Sequence, residues 1–212
     1  MANAILFDLD GTLVDTLTDL ANTANAVLIR FGYPSQPLES YRRFVGSGAR
    51  LLMERASGET DEGRITALFE AFVEEYDRRC LETVHPYEGV LETLQHFKER
   101  GFAMGVVTNK PHRQAQTIVQ HLFGDMFGCL FGGCADYPRK PDPQIVHLAA
   151  KALGVDVADC VFVGDSDVDV LTAHAAGIPC VGCAFGFRGE EELKNAGADR
   201  IVYSFTELQN LG

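Results

Sequence analysis

Short apolar runs alternate with stretches of helical spacing along most of this chain, and no other feature restricts its fold as strongly. Each run lacks the polar positions of a half-exposed strand, which predicts a strand buried on both faces of a sheet. Strands that alternate with helices are typical of a parallel sheet. We therefore predict an α/β protein with a Rossmann-like parallel sheet, its strands covering residues 4–7, 103–107, 129–131, 160–163, 180–181 and 201–202.

One long segment interrupts this alternation directly after the first predicted strand. Residues 16–81 show three helical patterns, over residues 17–31, 41–56 and 65–79, and no convincing strand. A connection of about 65 residues is too long for a loop in a compact domain, so it should fold on its own. We predict a core of residues 1–15 and 82–212 with an inserted helical cap of residues 16–81, which covers the carboxyl edge of the sheet.

The charge of the chain limits its partners. Its 212 residues carry a formal net charge of -12, and the basic residues form no run longer than Arg42-Arg43. A phosphate backbone repels such a chain, so we expect no nucleic-acid partner. A small anion can still bind where a lysine, backbone amides or a bound cation set the local field.

The hydropathy of the chain predicts no membrane partner. No window reaches membrane-spanning length, and the first residues lack the basic and apolar regions of a signal peptide. We therefore expect a cytoplasmic location, with the six scattered cysteines as reduced thiols. The sequence does not indicate an oligomeric state.

Two aspartates follow the first apolar run. Asp8 and Asp10 should emerge together at the carboxyl edge of the sheet, where parallel sheets bind ligands. Carboxylates this close repel each other unless a cation or a proton separates them, and Mg²⁺ with one anionic and one protonated partner suits the pair. Asp8 would then be a nucleophile that forms an aspartyl-phosphate, and Asp10 the acid that protonates the leaving alcohol and later the base for water. Gly11 permits a tight turn beside the phosphate. For this segment alone, an ordinary acidic turn is the alternative.

Three further polar sites follow predicted strands. Thr108 and Asn109 offer a hydroxyl and amide donors for a phosphoryl oxygen. Lys140 could neutralise the phosphoryl group, although a solvated loop lysine is the commoner role. Asp165 suits a hard cation as a direct ligand, with Asp169 in or behind its ligand sphere, and an acidic helix start is the alternative here.

The order of these four sites resembles the haloacid dehalogenase superfamily, in particular its phosphatase branch. The segments that carry the resemblance are Asp8-x-Asp10-Gly11-Thr12, Thr108, Lys140, and Gly164-Asp165 with Asp169. The resemblance implies Mg²⁺ bound by Asp8, the backbone oxygen of Asp10 and Asp165, with Asp169 in support. It also implies a cap that closes over small substrates.

Other branches of this superfamily fit less well. Dehalogenases lack the second acid of the first motif, which is Asp10 here. Phosphonatases carry a Schiff-base lysine in the cap, whereas residues 16–80 contain no lysine. Both aspartates are shared by phosphatases and phosphomutases, so the cap must distinguish these two.

The first half of the predicted cap contains a loop with two glycines. Residues 42–50 resemble the cap loop of phosphoglycolate phosphatases more than that of beta-phosphoglucomutases. Gly46, Ser47 and Gly48 would allow close approach to a ligand, and Arg43 or Arg50 could pair with a substrate carboxylate. For any single arginine, a solvated surface position is the alternative.

These observations predict Mg²⁺-dependent hydrolysis of a small phosphate monoester, with 2-phosphoglycolate as the first candidate. The enzymatic alternatives are a phosphomutase, a pyrophosphatase, and a phosphatase of another sugar phosphate or a nucleotide. A catalytically inactive phosphate-binding protein is the alternative outside the enzymes.

Overall fold

A computed structural model describes residues 3–211 and confirms the α/β fold. The main sheet has six strands in the order β5-β4-β1-β6-β7-β8, and each neighbouring pair is parallel. These strands are β1 (Ala4–Phe7), β4 (Ala103–Pro111), β5 (Cys129–Gly133), β6 (Cys160–Gly164), β7 (Cys180–Cys183) and β8 (Arg200–Val202).

Helices follow the strands as the hydrophobic spacing predicted. The connections between the strands of the sheet form α5 (Val90–Glu99), α6 (His112–Phe123), α7 (Gln144–Leu153), α8 (Asp167–Ala175) and α9 (Gly189–Ala196). Gly154 and Gly197 end α7 and α9 in the left-handed conformation, which glycine adopts without a steric penalty. None of the described helices is long and apolar enough to cross a membrane.

The central strand β1 is buried on both faces, whereas the edge strands β5 and β8 are partly exposed. Ile5 and Phe7 of β1 belong to one apolar cluster, whereas Ala4 and Leu6 belong to a second cluster. All four residues are fully buried. Because successive side chains of a strand point to opposite faces, helices must cover both sides of the sheet.

Four helices follow the first strand, where the sequence predicted three. They are α1 (Leu17–Arg30), α2 (Leu38–Phe44), α3 (Ala49–Ser57) and α4 (Glu62–Arg79). The prediction of one helix over residues 41–56 was wrong, because Gly46 and Gly48 have φ values of 105° and 95° and interrupt it. These conformations cannot belong to a right-handed helix.

A short antiparallel ribbon lies at the root of this helical segment. It joins β2 (Val14–Asp15) to β3 (His85–Pro86). The helices between them share the larger apolar cluster with β1 through residues such as Leu20 and Phe72. The division into a core and a cap at residues 15/16 and 81/82 stays a prediction.

Candidate active site

Three neighbouring strands bring the predicted motif residues to one edge of the sheet. Asp8 follows β1, Thr108 lies in the second half of β4, and Asp165 follows β6. The sheet order puts β1 between β4 and β6. Because the carboxyl ends of parallel strands meet at one edge, these buried side chains converge there.

Lys140 joins two of the aspartates. Its Nζ lies 2.9 Å from Asp8 Oδ1 and 2.7 Å from Asp169 Oδ1. Asp169 Oδ2 accepts hydrogen bonds from the backbone of Asp165 at 3.1 Å and from the backbone and hydroxyl of Ser166 at 3.0 Å and 2.7 Å. The start of α8 therefore fixes Asp169, and Asp169 holds the lysine beside Asp8.

Asp8, Asp165 and Asp169 form a buried cluster of acids. One carboxylate oxygen from each lies within 4.8 Å of the other two. If all three are ionised, Lys140 compensates only one of three negative charges, and a divalent cation with oxygen ligands would compensate the other two. The cluster thus fits a hard divalent cation.

The hydrogen bonds distinguish the acids that could hold such a cation. Both oxygens of Asp169 already accept hydrogen bonds. Asp8 Oδ2 and Asp165 Oδ1 accept none from residues 3–211, since Leu9 and Lys140 contact Asp8 Oδ1 and Phe187 donates to Asp165 Oδ2. Asp165 Oδ1 is consequently a free ligand atom and Asp8 Oδ2 has no donor among the described residues, whereas both oxygens of Asp169 are already occupied.

Burial changes the acidity of these groups. It raises the pKa of Asp8 to about 6, although the ammonium group of Lys140 acts in the opposite direction. Burial and the charge of Asp169 raise the pKa of Asp165 well above its ordinary value. For Lys140, burial alone would lower the pKa, but Asp169 and Asp8 outweigh it and raise the pKa. Protons and cations therefore compete for the carboxylates, while the lysine stays charged.

Glycines allow the backbone to pack directly against Asp165. A Cβ atom at Gly11, where φ is 82°, would lie 2.3 Å from Asp165 Oδ2. A Cβ atom at Gly186 would lie 2.3 Å from Asp165 Cβ. Any larger residue at either position would displace this carboxylate.

Asn109 holds the loop that carries Lys140. Its Oδ1 accepts from the backbone N–H of Lys140 at 2.9 Å, and its Nδ2 donates to the Lys140 carbonyl at 3.0 Å. The same Nδ2 donates to the carbonyl of Gly46 at 3.1 Å. In this structure the amide therefore ties β4 to the lysine loop and to the helical segment, and its Nδ2 group donates to two backbone carbonyls.

Asp10 has neighbours that the sequence did not predict. Lys110 Nζ lies 2.9 Å from Asp10 Oδ1 and 3.2 Å from Oδ2. The hydroxyl of Thr16 donates to Asp10 Oδ1 at 2.7 Å. Lys110 also donates to the hydroxyl of Tyr76 in α4 at 2.8 Å. The two-residue spacing from Thr108 to Lys110 was a usable signal, because alternate residues of a strand share a face. Tyr76 gave no such signal.

A cleft lies between the helical segment and the edge of the sheet. Gly46 and Gly48 line it, together with Asp8, Asp10 and Thr108. Close approach of this loop depends on the two glycines, whose positive φ values other residues rarely adopt.

Three residues of the loop that the sequence predicted to bind substrate do not line this cleft, namely Arg43, Ser47 and Arg50. Ser47 lies between the two lining glycines, and Arg43 is exposed. Arg50 pairs with Glu62 and donates to the hydroxyl of Thr66 at 3.0 Å. In this conformation both arginines lie outside the site that Asp8 and Asp10 form.

The chain has a parallel sheet with buried acids and a lysine at its carboxyl edge, beneath a helical insertion. This arrangement places it in the class of α/β enzymes that act on small anionic ligands. Residues 2–177 match the family model of the haloacid dehalogenase-like hydrolases. The chain belongs to this family, as its four motifs indicated.

Relatives of known name agree with this assignment. The chain is 38% identical to Phosphoglycolate phosphatase 1 of Pseudomonas aeruginosa, over 96% of this chain and 77% of that protein. It is 36% identical to the Phosphoglycolate phosphatase of Xanthomonas campestris pv. campestris, over 94% of this chain and 91% of that protein. A crystal structure of a predicted phosphoglycolate phosphatase from Haemophilus somnus has a TM-score of 0.90 and 30% identity, over 98% of this chain and 96% of that chain. The chain is therefore an enzyme of the phosphatase class.

Proposed function

We propose that the enzyme hydrolyses 2-phosphoglycolate to glycolate and phosphate, with Mg²⁺ bound and with a covalent aspartyl-phosphate on Asp8. The contact of Lys140 with Asp8, 2.9 Å between Nζ and Oδ1, is the single observation that carries the proposal. A cation beside a buried nucleophile can also balance the charge of a phosphoryl group. The names of the relatives support the choice of substrate.

In the first step, Asp8 attacks phosphorus through Oδ2. That oxygen accepts no hydrogen bond from the described part of the chain, whereas Oδ1 is held by Leu9 and Lys140. A bond forms between Oδ2 and phosphorus as the bond to the ester oxygen breaks. Asp10 transfers its proton to that oxygen, and glycolate leaves as the alcohol.

In the second step, water attacks the phosphorus of the aspartyl-phosphate. Asp10, now ionised, accepts a proton from the water as the new bond forms. The bond between phosphorus and Asp8 Oδ2 breaks and returns its electron pair to the carboxylate. Inorganic phosphate leaves, and Asp10 is again the acid.

Lys140 and Thr108 assist both steps. The ammonium group of Lys140 contacts Asp8, and Thr108 lines the cleft. Both can donate hydrogen bonds to the oxygens of the transferring group. Mg²⁺, held by Asp8, Asp165 and the backbone oxygen of Asp10 with Asp169 in support, would supply positive charge for the phosphoryl oxygens.

Phosphate release from a panel of monoesters, with and without Mg²⁺, tests this function. The panel contains 2-phosphoglycolate, a sugar phosphate, a nucleotide monophosphate and pyrophosphate, and kcat/KM is compared across it. We expect the highest value for 2-phosphoglycolate and loss of activity in EDTA. Even, low activity across the panel would contradict the substrate, and phosphate transfer within a sugar without release would favour a mutase.

A further inference from the structure

Lys110 is a buried cation without an assigned function. Its side chain is 1% exposed. Its Nζ lies where β4 meets the helical segment. An ammonium group has three N–H donors. Asp10 engages one or shares two of them, and the Tyr76 hydroxyl takes another. A buried lysine is normally paired with an anion, and Asp10 is its partner here.

The charges of the cleft make Lys110 unusual. The charged residues that line it are two acids, Asp8 and Asp10, and one base, Lys110. Lys110 is thus the basic residue among those lining residues. Arg50 is occupied by Glu62 in the helical segment, and Arg43 is exposed.

The leaving group has a charge of its own. In 2-phosphoglycolate a single methylene separates the carboxylate from the ester oxygen. Asp10 must lie within hydrogen-bond reach of that ester oxygen to protonate it. Because Lys110 Nζ is 2.9 Å from Asp10 Oδ1, a group bound to Lys110 can be attached to the same small leaving group.

We infer that Lys110, with the hydroxyl of Tyr76, binds the carboxylate of the leaving group and determines the preference for carboxylate-bearing phosphate esters. This inference rests on the proposed function. Tyr76 belongs to α4, so the bound carboxylate would also link the helical segment to the sheet. Leu52 and Phe72 line the same cleft and would exclude water from this contact.

Two esters of the same length isolate the effect of the carboxylate on kcat/KM. They are 2-phosphoglycolate and 2-hydroxyethyl phosphate, in which a neutral CH₂OH group replaces the carboxylate. We expect Lys110→Met to lower the ratio of their kcat/KM values by about 10- to 100-fold, as for one lost charge-assisted hydrogen bond. Tyr76→Phe should lower the ratio less, and Lys110→Arg should retain more of it than Lys110→Met.

Other variants serve as controls. Lys98 is an exposed lysine of α5, and Lys98→Met should leave the ratio unchanged. Arg43→Ala and Arg50→Ala test the rival assignment, in which an arginine of the loop binds the carboxylate. A larger change of the ratio in either arginine variant than in Lys110→Met would overturn the inference.

The outcomes separate this inference from the proposed function. An equal loss for both esters in Lys110→Met would show that the lysine only positions Asp10, and would overturn the inference alone. Equal wild-type activity on both esters would remove the carboxylate site and retain the phosphatase. Preference for a phosphate ester without a carboxylate would contradict the substrate and the inference together. If Lys110→Met lowers Tm strongly, the ratio in Tyr76→Phe, which lacks one hydroxyl, decides the question.

Discussion

The ammonium group of Lys140 lies 2.7 Å from Asp169 Oδ1, and Asp169 Oδ2 is held by Ser166, the residue that caps the start of α8. The lysine therefore takes its position from a helix that starts 27 residues later in the chain, at Asp167. The same Nζ lies 2.9 Å from Asp8. The charge of Lys140 thus links the end of β1 to α8.

Removal of the Lys140 charge should destabilise the protein. Lys140→Met leaves the three buried acids without their cation, and we expect the free energy of unfolding of the metal-free protein to fall by about 3–5 kcal/mol at pH 7.5. Urea unfolding in EDTA measures this change. The exposed residue Lys98 provides the matched Lys98→Met control, expected to be within about 0.5 kcal/mol of wild type. Equal stability of the two variants would contradict the electrostatic role of Lys140.

Asp8→Asn should abolish turnover and leave the fold intact. The amide has nearly the same shape, but it is a poor nucleophile and cannot form the acyl-phosphate. We expect kcat to fall by about 10³-fold or more. Single-turnover phosphate release gives the rate, and circular dichroism checks the fold. Retention of wild-type kcat would remove the covalent mechanism.

The metal-free protein should lose stability as the pH rises through the range in which Asp8 titrates. Burial raises the pKa of Asp8 from 3.8 to about 6 in the folded state. Between these values the folded state binds more protons than the unfolded state, so the free energy of unfolding falls with rising pH. Above pH 6 the loss in the free energy of unfolding that Asp8 causes is complete, on the order of 3 kcal/mol.

The Asp8→Asn variant isolates this contribution from other titrating groups. In EDTA, its free energy of unfolding should rise relative to wild type as the pH increases from about 4 to about 6. Mg²⁺ should stabilise the wild type more at pH 7.5 than at pH 5, because protons compete for Asp8 at the lower pH. A pH-independent difference between the two proteins would contradict the raised pKa.

Asp165→Asn should raise the magnesium requirement. Asp165 Oδ1 accepts no hydrogen bond from residues 3–211 and is available as a ligand, so its loss should raise the half-saturating Mg²⁺ concentration about tenfold or more. Activity titrated with Mg²⁺ measures it. Asp169→Asn is the comparison, and we expect it to lower kcat more than Mg²⁺ affinity because Asp169 holds Lys140. An unchanged requirement in Asp165→Asn would mean that the cation binds elsewhere.

Gly11→Ala should reduce activity through Asp165. The added Cβ would lie 2.3 Å from Asp165 Oδ2, whereas the Cβ of Gly154→Ala would meet no atom within 4 Å. Both glycines have positive φ, 82° and 72°, so both variants have the same kind of backbone strain, about 1 kcal/mol. We expect Gly11→Ala alone to lower kcat/KM, by about tenfold or more. Equal kinetics in the two variants would contradict the contact.

Most of the fold could be predicted from the sequence, because hydrophobic period and motif order are local properties. The buried run of β1 identified its strand, and the acids at Asp8 and Asp165 follow strands whose parallel pairing brings them to one edge. The break between α2 and α3 was missed. Glycines within a helical pattern are tolerated often enough that Gly46 and Gly48 gave no reliable boundary.

Tertiary structure decided what each polar side chain contacts. Asp8, Asp10, Lys140 and Asp165 could be singled out in the sequence as residue types that follow strands. Tyr76 lies 66 residues from Asp10, 76 minus 10, yet one lysine contacts both. Spacing cannot reveal such a contact, because the packing of α4 over the sheet sets the distance. Sequence by itself determined which strands form the main sheet and which acids end them. Only the packed chain decided which buried charges neutralise one another, since Coulomb energies depend on distance and burial.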